Sequence, residues 1–174
     1  MAKKNEALWY SCWATAWGPM GAAACEGGLC RVILPHYQLN DLEQLLAWEH
    51  PTATRDDARF EILAGLTRDY FNGKCADFGQ IACLMPRETT LGGKVLAACR
   101  KIPYGKTMTY GALATLIGAP DSARAVAAAL GKNEIPLVIP CHRVTYSGGG
   151  PGGFSAPGGV DLKLRMLSLE RRGQ

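Results

Sequence analysis

Cys141 and His142 stand side by side in "VIPCHRVTYSGGG", where an apolar run stops at Pro140 and gives way to Arg143 and then to glycines. A thiol is a weak nucleophile at its ordinary pKa of about 8.5, and a neighbouring base or cation activates it by favouring the thiolate. A third group belongs with this pair. Glu170 follows Leu167 by three residues and Met166 by four, on what reads as the apolar stripe of the last helix. A carboxylate there is partly desolvated and sits near a helix C-terminus whose dipole disfavours negative charge, so it needs a cationic or donor partner. His142 is the candidate. Cys141, His142 and Glu170 would then divide the roles of a nucleophilic set: attack, proton removal and orientation of the imidazole. Sequence neighbours need not have side chains in contact, so a proton relay through a water is an open route. The plainer alternative is an inert core cysteine beside a turn histidine. The flanks weigh against it, because Pro140 fixes the approach, Arg143 adds positive charge and the glycines permit a ligand to come close.

These residues need a scaffold. The first third reads as strands: "WYSCWATAW" is aromatic and extended, "GPMG" supplies a turn, and "GLCRVIL" continues with apolar and β-branched residues. A short helix is expected from Asp41 to Trp48. A second should run from about Arg55 to Phe71, with Phe60, Leu63, Leu66 (or Thr67) and Tyr70 on one face and Gly73 as its stop. A short strand near Gln80–Leu84 would rejoin the sheet. The expectation is therefore a small α+β domain over residues 1–86, closed by a linker at "MPRETT", where Pro86 ends the preceding element. Residues 87–174 read as a mostly helical domain. Leu91, Val95, Cys99 and Ile102 fall at helical spacing. "YGALATLIGAPDSARAVAAAL" gives a helix from Tyr110, a turn at Gly118–Ala119–Pro120 and a second helix from about Asp121 to Leu130, the sequence form of a helix-turn-helix. The last helix, Val160 to Glu170, is expected to bury Val160, Leu164 and Leu167.

Composition bounds the function. The hydrophobic content of 48% and charged content of 20% are those of a globular domain. No apolar run is long enough for a membrane span, so no membrane partner is expected. The opening "MAKKNEALWY" has no apolar stretch before a small-residue cleavage site, so no secretory leader is expected. Seven cysteines with no C-x-x-C pair argue against a disulfide framework and for a reducing, cytoplasmic setting. Residues 1–86 carry 7 Lys/Arg against 10 Asp/Glu, whereas residues 87–174 carry 12 against 5. A basic second half holding a helix-turn-helix points to a polyanionic partner, nucleic acid being the candidate.

The segment "IPYGKTMTYGALATLIGAPDSARAVAAALGKNEIPLVIPCHRV" resembles the helix-turn-helix and active-site region of the methylated-DNA–protein-cysteine methyltransferases, the 6-O-alkylguanine repair proteins. "GGFSAPGGVDLKLRMLSLE" is similar to their binding loop and last helix. The likeness is close over residues 90 to 170 and looser before them, where "LTRDYFNGK" is like a phrase ahead of the family's linker. It implies an RNase H-like first domain and a second domain with a winged-helix-like helix-turn-helix. It implies irreversible, single-turnover transfer of the alkyl group of 6-O-alkylguanine, and of 4-O-alkylthymine, from double-stranded DNA to Cys141. No metal or organic cofactor is implied. The protein would be a monomer, cytoplasmic, and associated with the nucleoid in a bacterium or archaeon or nuclear in a eukaryote. The resemblance also assigns roles. His142 would act as base through a water and be oriented by Glu170, and Asn133 would tie the turn before the active site to the helix-turn-helix. Tyr110 would donate its hydroxyl to the guanine ring, and Arg124 would fill the space the flipped base leaves. The carbonyls of Cys141 and Val144 would accept from the exocyclic amine, and the Ser155 N–H would reach the 6-oxygen.

Three departures from the family pattern stand out. Phe154 replaces a tyrosine and keeps the ring wall without the hydroxyl. Ala127 replaces a glycine on a face expected against the minor groove. "NEIP" brings Glu134 into the turn. None touches Cys141, His142 or Glu170. Some relatives hold a structural zinc, for which Cys25 and Cys30, with Cys12 and Cys83, are candidates; buried or edge cysteines are the alternative, since the spacing fits no C-x-x-C scheme. Two other functions compete with transfer. A damage sensor would share the fold and leave the thiol unchanged, and a cysteine hydrolase would turn over repeatedly.

Overall fold

The computed structural model describes residues 7–173; the start of "MAKKNEALWY" lies outside the described residues. The chain forms two compact units, Met1–Leu84 and Met85–Gln174, and the architecture is mixed α+β.

In the first unit, strands β1 (Trp9–Thr15), β2 (Gly18–Cys25) and β3 (Gly28–Ile33) form an antiparallel meander. The short strand β4 (Thr54–Arg55) adds in parallel to β1, giving the order β3-β2-β1-β4. Alternate side chains of a strand face opposite ways, and β1 uses both faces. Cys12 packs with Ala23, Ile33, Leu42 and Leu46, the last two from helix α1 (Leu39–Glu49). Trp13, pointing the other way, donates its indole N–H to the Thr67 hydroxyl at 2.8 Å on helix α2 (Glu61–Phe71). The helices therefore cover opposite faces of the sheet. Gly21 permits this closeness on the α1 side, because a Cβ there would meet a Leu46 methyl at 2.8 Å.

Several expectations need correction here. The turn after β1 falls at residues 16–17, and "GPMG" lies inside β2. Arg55 belongs to β4, and α2 starts at Glu61 after one 3-10 turn, Ala58–Phe60. The strand expected near Gln80–Leu84 is reduced to a single bridge between Leu29 and Cys83. Two backbone bonds, Leu29 N–H to the Ala82 carbonyl at 2.9 Å and Leu84 N–H to the Leu29 carbonyl at 2.7 Å, pair there. Among the described residues no group of three or more His, Cys, Asp or Glu side chains lies together as a metal site would require, so Cys12, Cys25, Cys30 and Cys83 form no ligand set. Cys12 is instead a core residue whose thiol is pushed up to about 12 by burial and the nearby Glu43 carboxylate.

The second unit contains helix α3 (Leu91–Arg100), strand β5 (Met108–Thr109), helices α4 (Tyr110–Leu116) and α5 (Ala123–Leu130), strand β6 (Val144–Thr145) and helix α6 (Gly159–Arg172). Threonines cap two of these helices. Thr90 accepts from Gly93 N–H and Thr109 from Ala112 N–H, each at 3.1 Å, which satisfies donors the first turn leaves open. Helices α4 and α5 form the expected helix-turn-helix, although Asp121 belongs to the turn rather than to α5. Parallel pairing of Met108 with Val144 and Thr109 with Thr145 brings the start of α4 beside the segment that follows Cys141. On α6 the buried stripe is Leu162, Lys163, Met166, Leu167 and Glu170. Leu167 and Glu170 are as expected. Val160 and Leu164 are exposed, because the helix turns Lys163 rather than Leu164 into the interior.

Candidate active site

Asn133 organises the approach to Cys141. Its amide oxygen accepts from Ile135 N–H at 3.1 Å, and its amide nitrogen donates to the Ile139 carbonyl at 2.9 Å and to the Cys141 sulfur at 3.1 Å. One side chain thus holds both ends of the turn 135–139 and touches the thiol. The turn is tight enough to place Leu137 at φ 74, a left-handed conformation that costs about 1–2 kcal/mol for a residue with a Cβ. Burial of the Leu137 side chain and the Asn133 bonds hold it there. Cys141, His142 and Arg143 then make a single 3-10 turn, all three buried.

The partner inferred for Glu170 is present, and there are more. His142 Nε2 lies 2.7 Å from Glu170 Oε1, with both groups essentially inaccessible. Arg143 donates through Nε at 2.9 Å to Oε2 and through Nη2 at 2.9 Å to Oε1, and its Nη1 reaches the Ile102 carbonyl at 2.7 Å. The Gly105 N–H also donates to Oε2 at 2.9 Å. Arg143 was expected to lend positive charge to the thiol; its guanidinium instead clasps Glu170. Sequence spacing does not fix where so long a side chain points.

Burial alone would raise the Glu170 carboxyl, but hydrogen bonds and charge from His142 and Arg143 outweigh it and hold the group at about 2. Burial lowers His142, and Glu170 only partly offsets this, so the imidazole is neutral near pH 7. With Glu170 ionised, the shared proton sits on Nε2 and the basic lone pair on Nδ1. Burial also raises Cys141. The Asn133 amide, the charge of Lys163 and the backbone N–H groups of Cys141 and His142 oppose that shift without reversing it. The sequence suggested neighbours that lower the thiol; burial outweighs them, and the resting group is a protonated thiol that needs a base.

Cys141 opens on a cavity of about 350 Å³, within the range of small-ligand sites. Tyr110, Phe154 and Ser155 line it as expected, and Leu130, Gly131 and Tyr146 line it as well. Ala127, expected against the groove of a duplex, also lines the cavity. Arg124 does not; it is exposed on the first turn of α5, three residues before Ala127 and so on the same side of that helix. Val144 is fully buried outside the lining, and its carbonyl accepts from Lys163 Nζ at 2.6 Å.

Sequence reasoning missed Lys163. Its ammonium also lies 3.3 Å from the Gly153 carbonyl, so it ties β6 to the glycine loop across the side of the cavity. Burial lowers its pKa. The spacing 163–166/167–170 contained the signal, but a lysine on a core stripe runs against the usual partition of residues. Gly152 lets the loop pack close against Tyr110: at φ 77, a Cβ on it would stand 2.6 Å from the Tyr110 hydroxyl. Tyr110 itself is raised by burial, so its hydroxyl is a neutral donor.

A protein with this helix-turn-helix beside a buried Cys–His–Glu set has clear relatives. The family model described as "6-O-methylguanine DNA methyltransferase, DNA binding domain" matches residues 91–172. The methylated-DNA–protein-cysteine methyltransferase of Salmonella typhimurium is 36% identical over 169 residues, spanning 90% of this chain and 92% of that protein. The protein of that name from Mycolicibacterium paratuberculosis is 44% identical over 103 residues, 59% of this chain and 60% of its own length. The solved structure of Mycobacterium tuberculosis OGT in complex with DNA matches with a TM-score of 0.77 at 29% identity, over 95% of this chain and 94% of that one. The chain belongs to the methylated-DNA–protein-cysteine methyltransferase family. The enzymatic reading of the sequence stands with that family, rather than the damage-sensor or hydrolase alternatives.

Proposed function

We propose that the protein repairs alkylated duplex DNA by moving the alkyl group of 6-O-alkylguanine, and of 4-O-alkylthymine, onto Cys141, once per molecule. The observation that carries this is a thiol at the floor of a base-sized cavity, hydrogen-bonded to Asn133 and followed directly by a histidine buried against a carboxylate.

The extruded base enters the cavity beside Tyr110. The Cys141 S–H gives its proton through a water to Nδ1 of His142, and the imidazolium that forms is balanced by Glu170. The sulfur attacks the alkyl carbon in line with the carbon–oxygen bond. That bond breaks, its electron pair leaves on the 6-oxygen, and the guanine takes a ring proton from Tyr110, which is restored by the proton held on His142, returned through water. The product thioether has no route back, so the molecule is spent. Neither a metal nor an organic cofactor takes part in this scheme. The Ser155 N–H serves the 6-oxygen, and the Cys141 carbonyl serves the exocyclic amine. Val144 could join it through the second lone pair of a carbonyl already bound to Lys163. Phe154 supplies a ring wall.

Arg124 fills the vacated stack, a role supported by its exposure one helical turn from the cavity-lining Ala127. The order β3-β2-β1-β4 with β4 parallel to β1 supports an RNase H-like first domain, and the helix-turn-helix followed by the β5–β6 ladder supports a winged-helix-like second. The monomeric state and cytoplasmic setting expected from the sequence belong to the same reading.

Intact-protein mass spectrometry after incubation with a duplex carrying 6-O-methylguanine tests it. One added methyl group, mapped to Cys141 and absent from Cys141→Ser, is expected, while Cys141→Ser retains DNA binding. Label on another cysteine, or several turnovers per protein, would overturn the proposal.

A further inference from the structure

Tyr146 plays no part in the transfer scheme above, yet its ring lines the cavity while remaining 58% exposed. Three features fix it there. Carrying the β5–β6 register one residue further sets Tyr146 beside Tyr110, and the two rings meet with centroids 5.3 Å apart at an angle of 51°. The Tyr146 N–H donates to the Gly150 carbonyl at 2.9 Å, and its carbonyl accepts from Gly149 N–H at 3.2 Å, so both backbone polar groups are held. A Cβ at Gly150 would lie 3.6 Å from the ring, which places the loop backbone close against it.

A large aromatic ring that lines the same cavity as the Cys141 thiol, with its backbone held by its own loop and more than half its surface exposed, is complementary to another flat π-system. We infer that Tyr146 is a stacking platform that, with Tyr110, forms an aromatic wall for the extruded purine and holds it out of the duplex while the alkyl carbon is presented to Cys141. This rests on the function proposed above. Stacking needs the ring and not the hydroxyl. Removing one base–aromatic contact lowers occupancy by about 5- to 150-fold, and a half-exposed ring belongs near the lower end, at about tenfold.

The test compares wild type, Tyr146→Phe and Tyr146→Ala in single-turnover transfer from a duplex carrying 6-O-methylguanine. Tyr146→Ala should transfer about tenfold more slowly and Tyr146→Phe within about twofold of wild type. Two controls separate stacking from other roles. Alkylation of Cys141 by iodoacetamide, which needs no base, should be the same in all three proteins, and so should affinity for an unmodified duplex. Transfer by Tyr146→Ala at the wild-type rate would overturn the inference. So would a loss matched by weaker binding of unmodified duplex or slower iodoacetamide reaction. Failure of the wild-type protein to transfer at all would overturn the function itself and the inference with it.

Discussion

Replacing Glu170 by glutamine keeps the shape of the side chain and removes one buried charge. The consequence can be worked in two ways. Glu170 is held at about 2 against an ordinary value of 4.5. At about 1.4 kcal/mol per pKa unit, that depression corresponds to roughly 3 kcal/mol of stability at neutral pH. Independently, glutamine leaves the Arg143 guanidinium buried without its counter-charge, and breaking a buried pair from one side costs about 3–5 kcal/mol. The expected loss is therefore about 3 kcal/mol or more, a large share of the roughly 5–15 kcal/mol of an ordinary domain.

The folded carboxyl is depressed, so its contribution is complete above pH 4.5 and is lost as pH falls towards 2. His142 is lowered by burial, so the unfolded chain gains protons before the folded one, and stability also falls as pH drops below 6.5. The two contributions separate in the variant. Glu170→Gln should lack the loss below pH 4.5. Urea denaturation of both proteins between pH 7 and 3 measures this. Transfer by Glu170→Gln at neutral pH should slow by about 10²-fold, the low end of what a general base supplies, because the imidazole loses the charge that orients it. A stability loss under about 1 kcal/mol, or an acid profile matching wild type, would refute the argument from buried charge. An unchanged transfer rate would remove Glu170 from the mechanism.

Arg124→Ala should slow transfer far more on duplex DNA than on free alkylated base, where nothing has to be extruded; equal losses would count against an intercalating role. A phosphate contact would instead show as uniformly weaker binding and a salt slope smaller by about one. Lys163→Met removes the donor shared by Val144 and Gly153 and should destabilise by about 1–3 kcal/mol, with faster proteolysis in residues 147–158. Unchanged proteolysis in that variant would mean that Lys163 does not hold the loop.

The parts of this molecule legible in the sequence are those that depend on local period. The helix-turn-helix was visible because Gly118 and Pro120 interrupt two short apolar helical runs, although the turn itself spans residues 117–122 rather than three residues, and Glu170 because a carboxylate on a buried stripe demands a partner. Errors fell where three-dimensional context decides. Val160 and Leu164 are apolar and exposed while Lys163 is charged and buried, because the tail of a lysine is apolar and two carbonyls wait at its tip. The strand expected near residues 80–84 had suitable residues, but backbone pairing stops after a single bridge at Leu29. Strands β5 and β6, two residues each, carry no period to detect, yet their register sets Tyr110 beside Tyr146.

How far burial outweighs the activating groups around the thiol could not be read from sequence. Arg143, read as adding positive charge beside Cys141, is committed to Glu170, and burial dominates at the sulfur. A protonated, buried thiol is slow towards dissolved oxidants and alkylating agents, whose reaction requires the thiolate. That matters for a protein that is spent after one reaction. The groups that favour the thiolate, namely the Asn133 amide, the backbone N–H pair and Lys163, are already in place around the sulfur. Deprotonation then needs only a base and an acceptor for the charge. In the proposed scheme His142 takes the proton because Glu170 stabilises the imidazolium, and the alkyl carbon of a bound base takes the electron pair. On this view the nucleophile forms when substrate fills the cavity, and the same desolvation that keeps Cys141 protonated at rest makes the thiolate more reactive once it forms.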